Sequence, residues 1–510
     1  MNNANTSGKL VYLSTYGCQM NVLDSELVRG QLEGLGYSFV DSQKDADVVL
    51  LNTCSIREHS EHKVWSALGR LAQIKQDDRP DLVVGVLGCM AEREGEGIVK
   101  RMRHVDIICG PSNLDQVPTL VDNAIRNKEP QVSLAGHTVR RSKTQDAAKD
   151  NLEALDLSRS FSPTAAGSHQ AYVRITRGCN KFCTYCVVPF TRGPEVHRPP
   201  EHIVEEVRRL VDRGVKEVTL LGQTVNHYQY KAGDKTTTFA DLLWQVHESV
   251  PALPRLRFIT SYPRDFTVEA LTVMASAPRI CKYLHIPVQS GSNRILRLMN
   301  RGYRIEEYYE LIERARDLMP NIRLAGDMIV GFPTETEEDH QASIELLKRV
   351  RYKSCYIFKY SERPGTVAIR RYPDDIPDVL KKKRNNELLA LQTKVSESTH
   401  QSYIGKEIEV LVEGQSKLRT QPQRDLIQLP IYKGSSSRVP LIGRTEGDEI
   451  VAFEGPADLI GEFVQVRAVG ATPLTIKGEM SSLFPTAAMP LRKPASCNFS
   501  EIVERPPKAL

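Results

Sequence analysis

Residues Arg177–Gly193 read RGCNKFCTYCVVPFTRG. Cys179, Cys183 and Cys186, three of the chain's ten cysteines, fall there within eight positions. Thiols this close in sequence point to a metal centre or to catalysis when no secretory signal implies disulfides. The N-terminal MNNANTSGKLVYLSTYGC lacks a basic region followed by an apolar one, so a reducing compartment, the cytoplasm, is the expectation. A structural zinc site takes four ligands in a closed tetrahedron. Its fourth ligand would have to come from further away, with His197 the available candidate. A [4Fe–4S] cluster instead offers four irons to thiolates. Three thiolates leave one iron open to a substrate-like ligand, and that reading accounts for the missing fourth cysteine.

The Cys-x3-Cys-x2-Cys spacing, the apolar run AYVRITRG before it and Tyr185 ahead of the last cysteine together resemble the radical S-adenosylmethionine (SAM) signature. The resemblance implies that SAM chelates the open iron and is cleaved reductively, with electrons from a reducing donor. Three further loops follow predicted strands, where ligands of such folds bind. They are LLGQTVN (Leu220–Asn226), LHIPVQSGS (Leu284–Ser292) and GDMIVGFPTET (Gly326–Thr336). Each alone is equally an ordinary strand-to-helix turn. Together they make Tyr185, Gly222, Gln223, Gln289, Ser290 and Asp327 the candidate cofactor-binding residues.

Around this centre the 510 residues divide into an α/β chain of several domains. KLVYLSTYG, ADVVLLNT, DLVVGVLG and VDIICG are short apolar runs separated by helical patterns. They predict a doubly wound parallel α/β domain over 8–128. The polar, Ser- and Ala-rich stretch 129–168 reads as a linker. From 169 to 400, six strand candidates alternate with helices: AYVRITRG, KEVTLLG, RLRFIT, YLHIPV, IRLAGDMIVGF and SCYIFKYS. Six units are fewer than the eight of a closed barrel, so a partial (βα)6 barrel is expected. Residues 401–478 lose the helical period and predict a small antiparallel β-barrel. The segment 479–510 is Pro-, Ser- and Ala-rich and is expected to be a disordered tail. No apolar run approaches the ~18 residues of a membrane span. A net charge of +5 permits nucleic-acid binding without arguing for it.

A second set of cysteines is more widely spaced. Cys18, Cys54 and Cys89 each close a predicted strand, in LSTYGC, LLNTC and VLGC. Carboxyl ends of parallel strands gather along one sheet edge, so these three thiols should converge into a second metal site. Cys109 also ends a strand, but a fourth thiolate would close the open iron, so it is assigned a structural role. Cys281, Cys355 and Cys497 show no partner spacing.

YGCQMNVLDSE, LNTCSIRE, LGCMAER, the triad stretch, LHIPVQSGSNRILRLMNRGY and GDMIVGFPTETEED together resemble the methylthiotransferase family over residues 9–478. The C-terminal module resembles that family's RNA-binding TRAM domain. The first-motif wording Gly-Cys-Gln-Met-Asn resembles the branch acting on tRNA that carries prenylated adenosine beside the anticodon. The resemblance implies methylthiolation at C2 of N6-dimethylallyladenosine, an auxiliary [4Fe–4S] cluster on Cys18, Cys54 and Cys89, and two SAM molecules per turnover. One SAM methylates a sulfur at the auxiliary cluster; the other yields the radical that activates the C2–H. A monomer is the default expectation. The near alternatives are family members acting on threonylcarbamoyladenosine tRNA or a ribosomal protein; a non-catalytic iron–sulfur RNA-binding regulator is the alternative of another class. One departure is a basic insertion, Lys417 to Arg444, with six basic residues and one acidic. It reads either as a solvated loop or as a phosphate-contacting arm.

Overall fold

The four apolar runs of the first 110 residues form neighbouring parallel strands. In the computed structural model, which describes residues 8–55, 58–136, 152–159, 169–416 and 438–483, these are Leu10–Thr15, Val48–Thr53, Val83–Gly88 and Ile107–Cys109. Val48–Thr53 and Val83–Gly88 are buried at every position. A strand covered on both faces has no solvent side to alternate with, hence the unbroken apolar sequence. Val48 and Leu50 enter the core beneath helices Gln19–Gly34 and Val117–Asn127. Val49 and Leu51 enter the opposite core beneath Glu58–Asp77. Each such side chain contributes roughly 1.5–3 kcal/mol by leaving water. The short edge strands Ser38–Phe39 and Gln131–Ser133 complete a six-stranded sheet. Register pairs Thr15 with Asn52, Asn52 with Leu87, and Thr53 with Gly88, which aligns the carboxyl ends of the three strands that precede cysteines.

All six central strands are present, in two three-stranded parallel sheets. Gln170–Arg174, Glu217–Leu221 and Arg255–Ile259 form one; Tyr283–His285, Arg323–Val330 and Ser354–Lys359 form the other. A parallel bridge between Leu256 and Ile280 joins them into an open partial barrel. The C-terminal module is a closed five-stranded barrel of Glu407–Gln415, Arg438–Arg444, Ile450–Pro456, Phe463–Ala471 and Ile476–Leu483. Ion pairs fix it to the amino ends of the central strands: Arg255–Glu409 at 3.0 Å, Arg323–Glu449 at 2.9 Å and Lys216–Glu462 at 2.6 Å.

Three boundaries differ from the sequence expectations. The supposed linker 129–168 contains the sheet strand Gln131–Ser133 and the helix Leu152–Arg159. That helix looked solvated because it carries Glu153, Asp156 and Arg159, yet those charges are buried and paired. Asp156 meets Arg174 and lies 3.6 Å from Arg198, while Glu153 bonds Arg198 at 2.7 Å. Arg159 reaches Glu26 of the first domain at 2.7 Å. The supposed insertion 417–444 ends in the barrel strand Arg438–Arg444, where Arg444 is committed to Glu413 and Asp448 at 3.1 and 2.8 Å. Arg444 therefore belongs to the barrel's own ion pairs; residues 417–437 lie outside the described residues. The tail begins later than 479, because the last strand runs to Leu483; residues 484–510 lie outside the described residues.

Candidate functional site

Cys54 and Cys89 directly follow the register partners Thr53 and Gly88. Cys18 caps the helix Gln19–Gly34, its carbonyl accepting from the Asn21 and Val22 amides. Its thiol donates to Asn21 Oδ1 at 3.2 Å. Asn21 Nδ2 donates to Asn52 Oδ1 at 3.1 Å and to the Thr53 carbonyl at 3.0 Å. Asn52 Nδ2 returns bonds to the Asn21 carbonyl and Ser25 Oγ, both at 2.9 Å. This buried amide network sets the loop that carries Cys18 against the strand that carries Cys54. Two glycines permit the approach. Gly17 has φ +143°, and a Cβ there would stand 2.5 Å from Cys54 Cβ. Gly88 has φ +90°, and its Cβ would meet Asn52 Oδ1 at 2.5 Å.

The three thiols share one electrostatic environment. Cys18 is drawn down to about 6, first by a hydrogen bond with Cys54, with the Arg192 charge and the local backbone adding to it against burial. Burial pushes Cys89 up, and Arg192 opposes that. Arg192 belongs to the other cysteine motif, so the two sites are in contact through it.

The triad loop is pinned at each turn. The Cys179 amide donates to the Gly193 carbonyl at 3.2 Å, and the Cys186 amide to the Cys183 carbonyl at 3.0 Å. Thr184 donates through its amide to the Met299 carbonyl and through Oγ1 to the Leu298 carbonyl. Asn300 Nδ2 holds the Phe182 carbonyl at 3.0 Å. Burial, then the neighbouring Cys183, pushes Cys179 up to about 12; Cys186 is raised for the same reasons. Three adjacent half-buried thiolates are costly without a cation, and a coordinated metal ionises such thiols outright. Arg301 lies beneath them, 5% exposed. Its Nη1 is 3.5 Å from Cys183 Sγ and 3.4 Å from Tyr185 Oη, and its Nη2 donates to the Pro287 carbonyl at 2.6 Å.

The predicted cofactor residues sit at the same end of the barrel. Cys179 Sγ is 3.7 Å from Thr224 Oγ1, two residues past Gly222 and next to Gln223. A Cβ at Gly222 would overlap Thr176 Oγ1. Gln289, with φ +78°, donates its amide to the Asp327 carbonyl at 2.9 Å, and Asp327 Oδ2 lies 3.3 Å from His285 Nε2. Ser290 is buried, with Oγ accepting from the Ser292 amide at 3.2 Å. Tyr185 packs against the apolar cluster that holds Ile295, Met299 and Phe332, and its hydroxyl faces Arg301. Thr176 Oγ1, Gln223 Oε1 and Ser261 Oγ are buried without hydrogen-bond partners. Native buried polar groups are nearly always satisfied. The unsatisfied atoms of Thr176 and Gln223, beside the Gly222–Thr224 segment that meets Cys179, therefore fit a polar ligand such as a nucleoside.

His197 is not a ligand of either cysteine set. Its Nδ1 accepts the Gln229 amide at 3.1 Å, and burial depresses its pKa to about 4. The neutral ring's proton thus sits on Nε2, facing Glu195 Oε2 at 3.8 Å. His227 Nδ1 faces the same oxygen at 2.6 Å. A metal on Nε2 would need Nδ1 as a donor, which the Gln229 amide precludes. Among the described residues this is the group whose ligand atoms all lie within 4.8 Å of one another. Cys109 lies in the sheet core, its thiol donating to the Asn113 carbonyl, and Cys281 and Cys355 are buried. Sequence reasoning missed Arg192 and Arg301, whose surroundings come from segments distant in the chain.

Comparisons with known proteins bear on the family of the chain. The family model described as Radical SAM superfamily matches residues 173–347, and the one described as Uncharacterized protein family UPF0004 matches residues 10–110. The tRNA-2-methylthio-N(6)-dimethylallyladenosine synthase of Rhodopirellula baltica is 42% identical over 93% of this chain and 96% of its own. That of Phocaeicola vulgatus is 41% identical over 93% and 96%. A solved radical SAM methyltransferase, TsrM from Kitasatospora setae, is 16% identical, with a TM-score of 0.48 over 71% of this chain and 74% of that one. With relatives matched at this identity along nearly their whole length, the chain belongs to the tRNA-2-methylthio-N(6)-dimethylallyladenosine synthase family of radical SAM enzymes.

Proposed function

We propose that this enzyme installs a methylthio group at C2 of N6-dimethylallyladenosine beside the anticodon of tRNA, in the cytoplasm. The observation that carries the reading is the convergence of Cys18, Cys54 and Cys89 at neighbouring strand ends, in contact through Arg192 with the triad loop. A C2–H has neither an acidic proton nor a leaving group, so side-chain acid–base catalysis offers little, and the hard step belongs to cofactors. When bound, a [4Fe–4S] cluster on the triad supplies the electron that cleaves SAM, and one on the second set supplies the sulfur. The chain's own residues position and enclose. Cys179, Cys183 and Cys186 hold the first cluster, and Arg301 balances thiolate charge there. Gly222 lets Thr176 pack at the strand ends beside Gln223, while Gln223, Gln289, Ser290 and Asp327 offer the nucleoside polar contacts. The C-terminal barrel binds the RNA. No helix among the described residues is long and apolar enough to cross a membrane.

Anaerobically reconstituted protein, given SAM, a low-potential reductant and a prenylated anticodon stem-loop, should yield 2-methylthio-N6-dimethylallyladenosine by mass spectrometry of the digested RNA. Product only from threonylcarbamoyladenosine RNA, or only on a ribosomal protein, would replace the substrate assignment. SAM consumption with none of these products would contradict the reaction.

A further inference from the structure

The triad loop reaches physically into the second cysteine site. Val188–Thr191 forms a single turn just after Cys186, and Arg192 ends it, its amide donating to the Val188 carbonyl at 2.9 Å. This turn packs on Cys89–Glu94, the short helix that begins with Cys89. The guanidinium is 3% exposed. Its Nη2 donates to Asp24 Oδ2 at 2.6 Å, and Asp24 is itself 1% exposed. The remaining edge lies against Cys89, and its charge also reaches Cys18. Nη1 and Asp24 Oδ1 are both buried without a fully formed hydrogen bond. A buried cation with one satisfied edge and one turned toward thiols is poorly compensated by Asp24 alone.

A cluster on those cysteines would supply the missing compensation. Three thiolates around a [4Fe–4S] core of charge 2+ leave a net charge of about −1, which becomes −2 on one-electron reduction. Net charge and hydrogen bonds to sulfur are what set the potential of such a centre. Resting on the reading of Cys18, Cys54 and Cys89 as cluster ligands, we propose that Arg192 is a positioning residue. It carries positive charge from the triad loop to the second cluster, making that cluster easier to reduce, while Asp24 biases it the other way. Because Arg192 follows Cys186 by six residues, the same side chain fixes one cysteine set relative to the other.

The test is an EPR-monitored redox titration of the full chain carrying both clusters, with SAM added to mark the signal of the triad's cluster. Arg192→Met should shift the other cluster's reduction equilibrium at least tenfold toward the oxidised form, about 59 mV downward. Arg192→Lys, which keeps the charge, should recover most of that shift. Asp24→Asn should move the potential upward. Opposite signs from two partners of one ion pair cannot arise from shared loss of packing. An Arg192→Met protein with full iron and an unchanged potential overturns the proposal. So does an Asp24→Asn potential at or below that of the unaltered chain. If Arg192→Met loses the second cluster, the Lys and Asn variants decide by the same criteria. An unaltered chain that binds only about four irons would remove the second-cluster reading itself, and this role with it.

Discussion

Gly17 is the position at which one methyl group should separate the second cysteine site from the rest of the molecule. Its φ of +143° is one that side chains rarely adopt, and an added Cβ would lie 2.5 Å from Cys54 Cβ and 2.8 Å from Asn21 Oδ1. Backbone strain of this kind costs roughly 1–3 kcal/mol. Forcing a methyl group into a packed site costs about 1–3 kcal/mol more. Gly17→Ala should therefore destabilise the first domain by roughly 2–6 kcal/mol, or relieve the strain by driving Cys18 and Cys54 apart. In either case the second cluster is lost. Iron in anaerobically purified protein should fall from about eight per chain to about four, and the first domain's Tm should drop by several degrees. Gly34→Ala is the control, because a Cβ there meets nothing within 4 Å and the residue ends a helix, where alanine is favoured. It should keep all the iron and melt no lower. A Gly17→Ala protein with about eight irons and unchanged melting would refute the crowding inferred around Cys18 and Cys54.

Three further outcomes follow from other parts of the molecule. Replacing Cys179, Cys183 and Cys186 together with Ala should leave about four irons; none remaining, or zinc in their place, would contradict two separate cluster sites. Asp339 ties the Gln289–Ser292 loop to helix Glu337–Val350 through Ser292 and Arg294, and despite burial these bonds hold its carboxyl at about 2. A depressed carboxylate stabilises above its unfolded value near 4 and loses that contribution as pH falls toward 2. Asp339→Asn should thus cost ~2 kcal/mol at pH 7 and almost nothing near pH 2 in urea melts; a pH-independent difference would contradict the assignment. Changing the exposed barrel residues Arg467 and Lys477 to Gln should lower the log–log salt slope of tRNA binding by about one for each phosphate no longer neutralised, with SAM cleavage intact; an unchanged slope would exclude these two as phosphate-binding residues.

Much of this was legible in the sequence wherever one physical signal dominated. Buried parallel strands announce themselves as unbroken apolar runs, so Val48–Thr53 and Val83–Gly88 were readable, while the six central strands were readable from their alternation with helical patterns. Strand-end cysteines on a parallel sheet have one edge on which to meet, which made the convergence of Cys18, Cys54 and Cys89 foreseeable. Charges paired across long separations were not readable. The helix Leu152–Arg159 has the composition of a solvated linker, and only Arg174, Arg198 and Glu26 explain its burial. Arg192 and Arg301 look like ordinary basic residues until the fold places Asp24 and Cys89 beside one and Tyr185 and Cys183 beside the other. The barrel strand Arg438–Arg444 was hidden because the Gly434–Ser437 sequence GSSS ahead of it and Pro440 within it both read as loop.

The two cysteine sets are assigned different chemistry within one protein. The most direct measurement of that division is made on the full chain with Cys18, Cys54 and Cys89 replaced by Ala, once far-UV circular dichroism shows it folded. With SAM, reductant and prenylated anticodon stem-loop RNA, 5′-deoxyadenosine and methylthiolated nucleoside are quantified from the same reaction. 5′-Deoxyadenosine should continue to form while the methylthiolated nucleoside disappears. Methylthiolated product from the folded variant, or disappearance of 5′-deoxyadenosine along with it, would contradict the separation of roles.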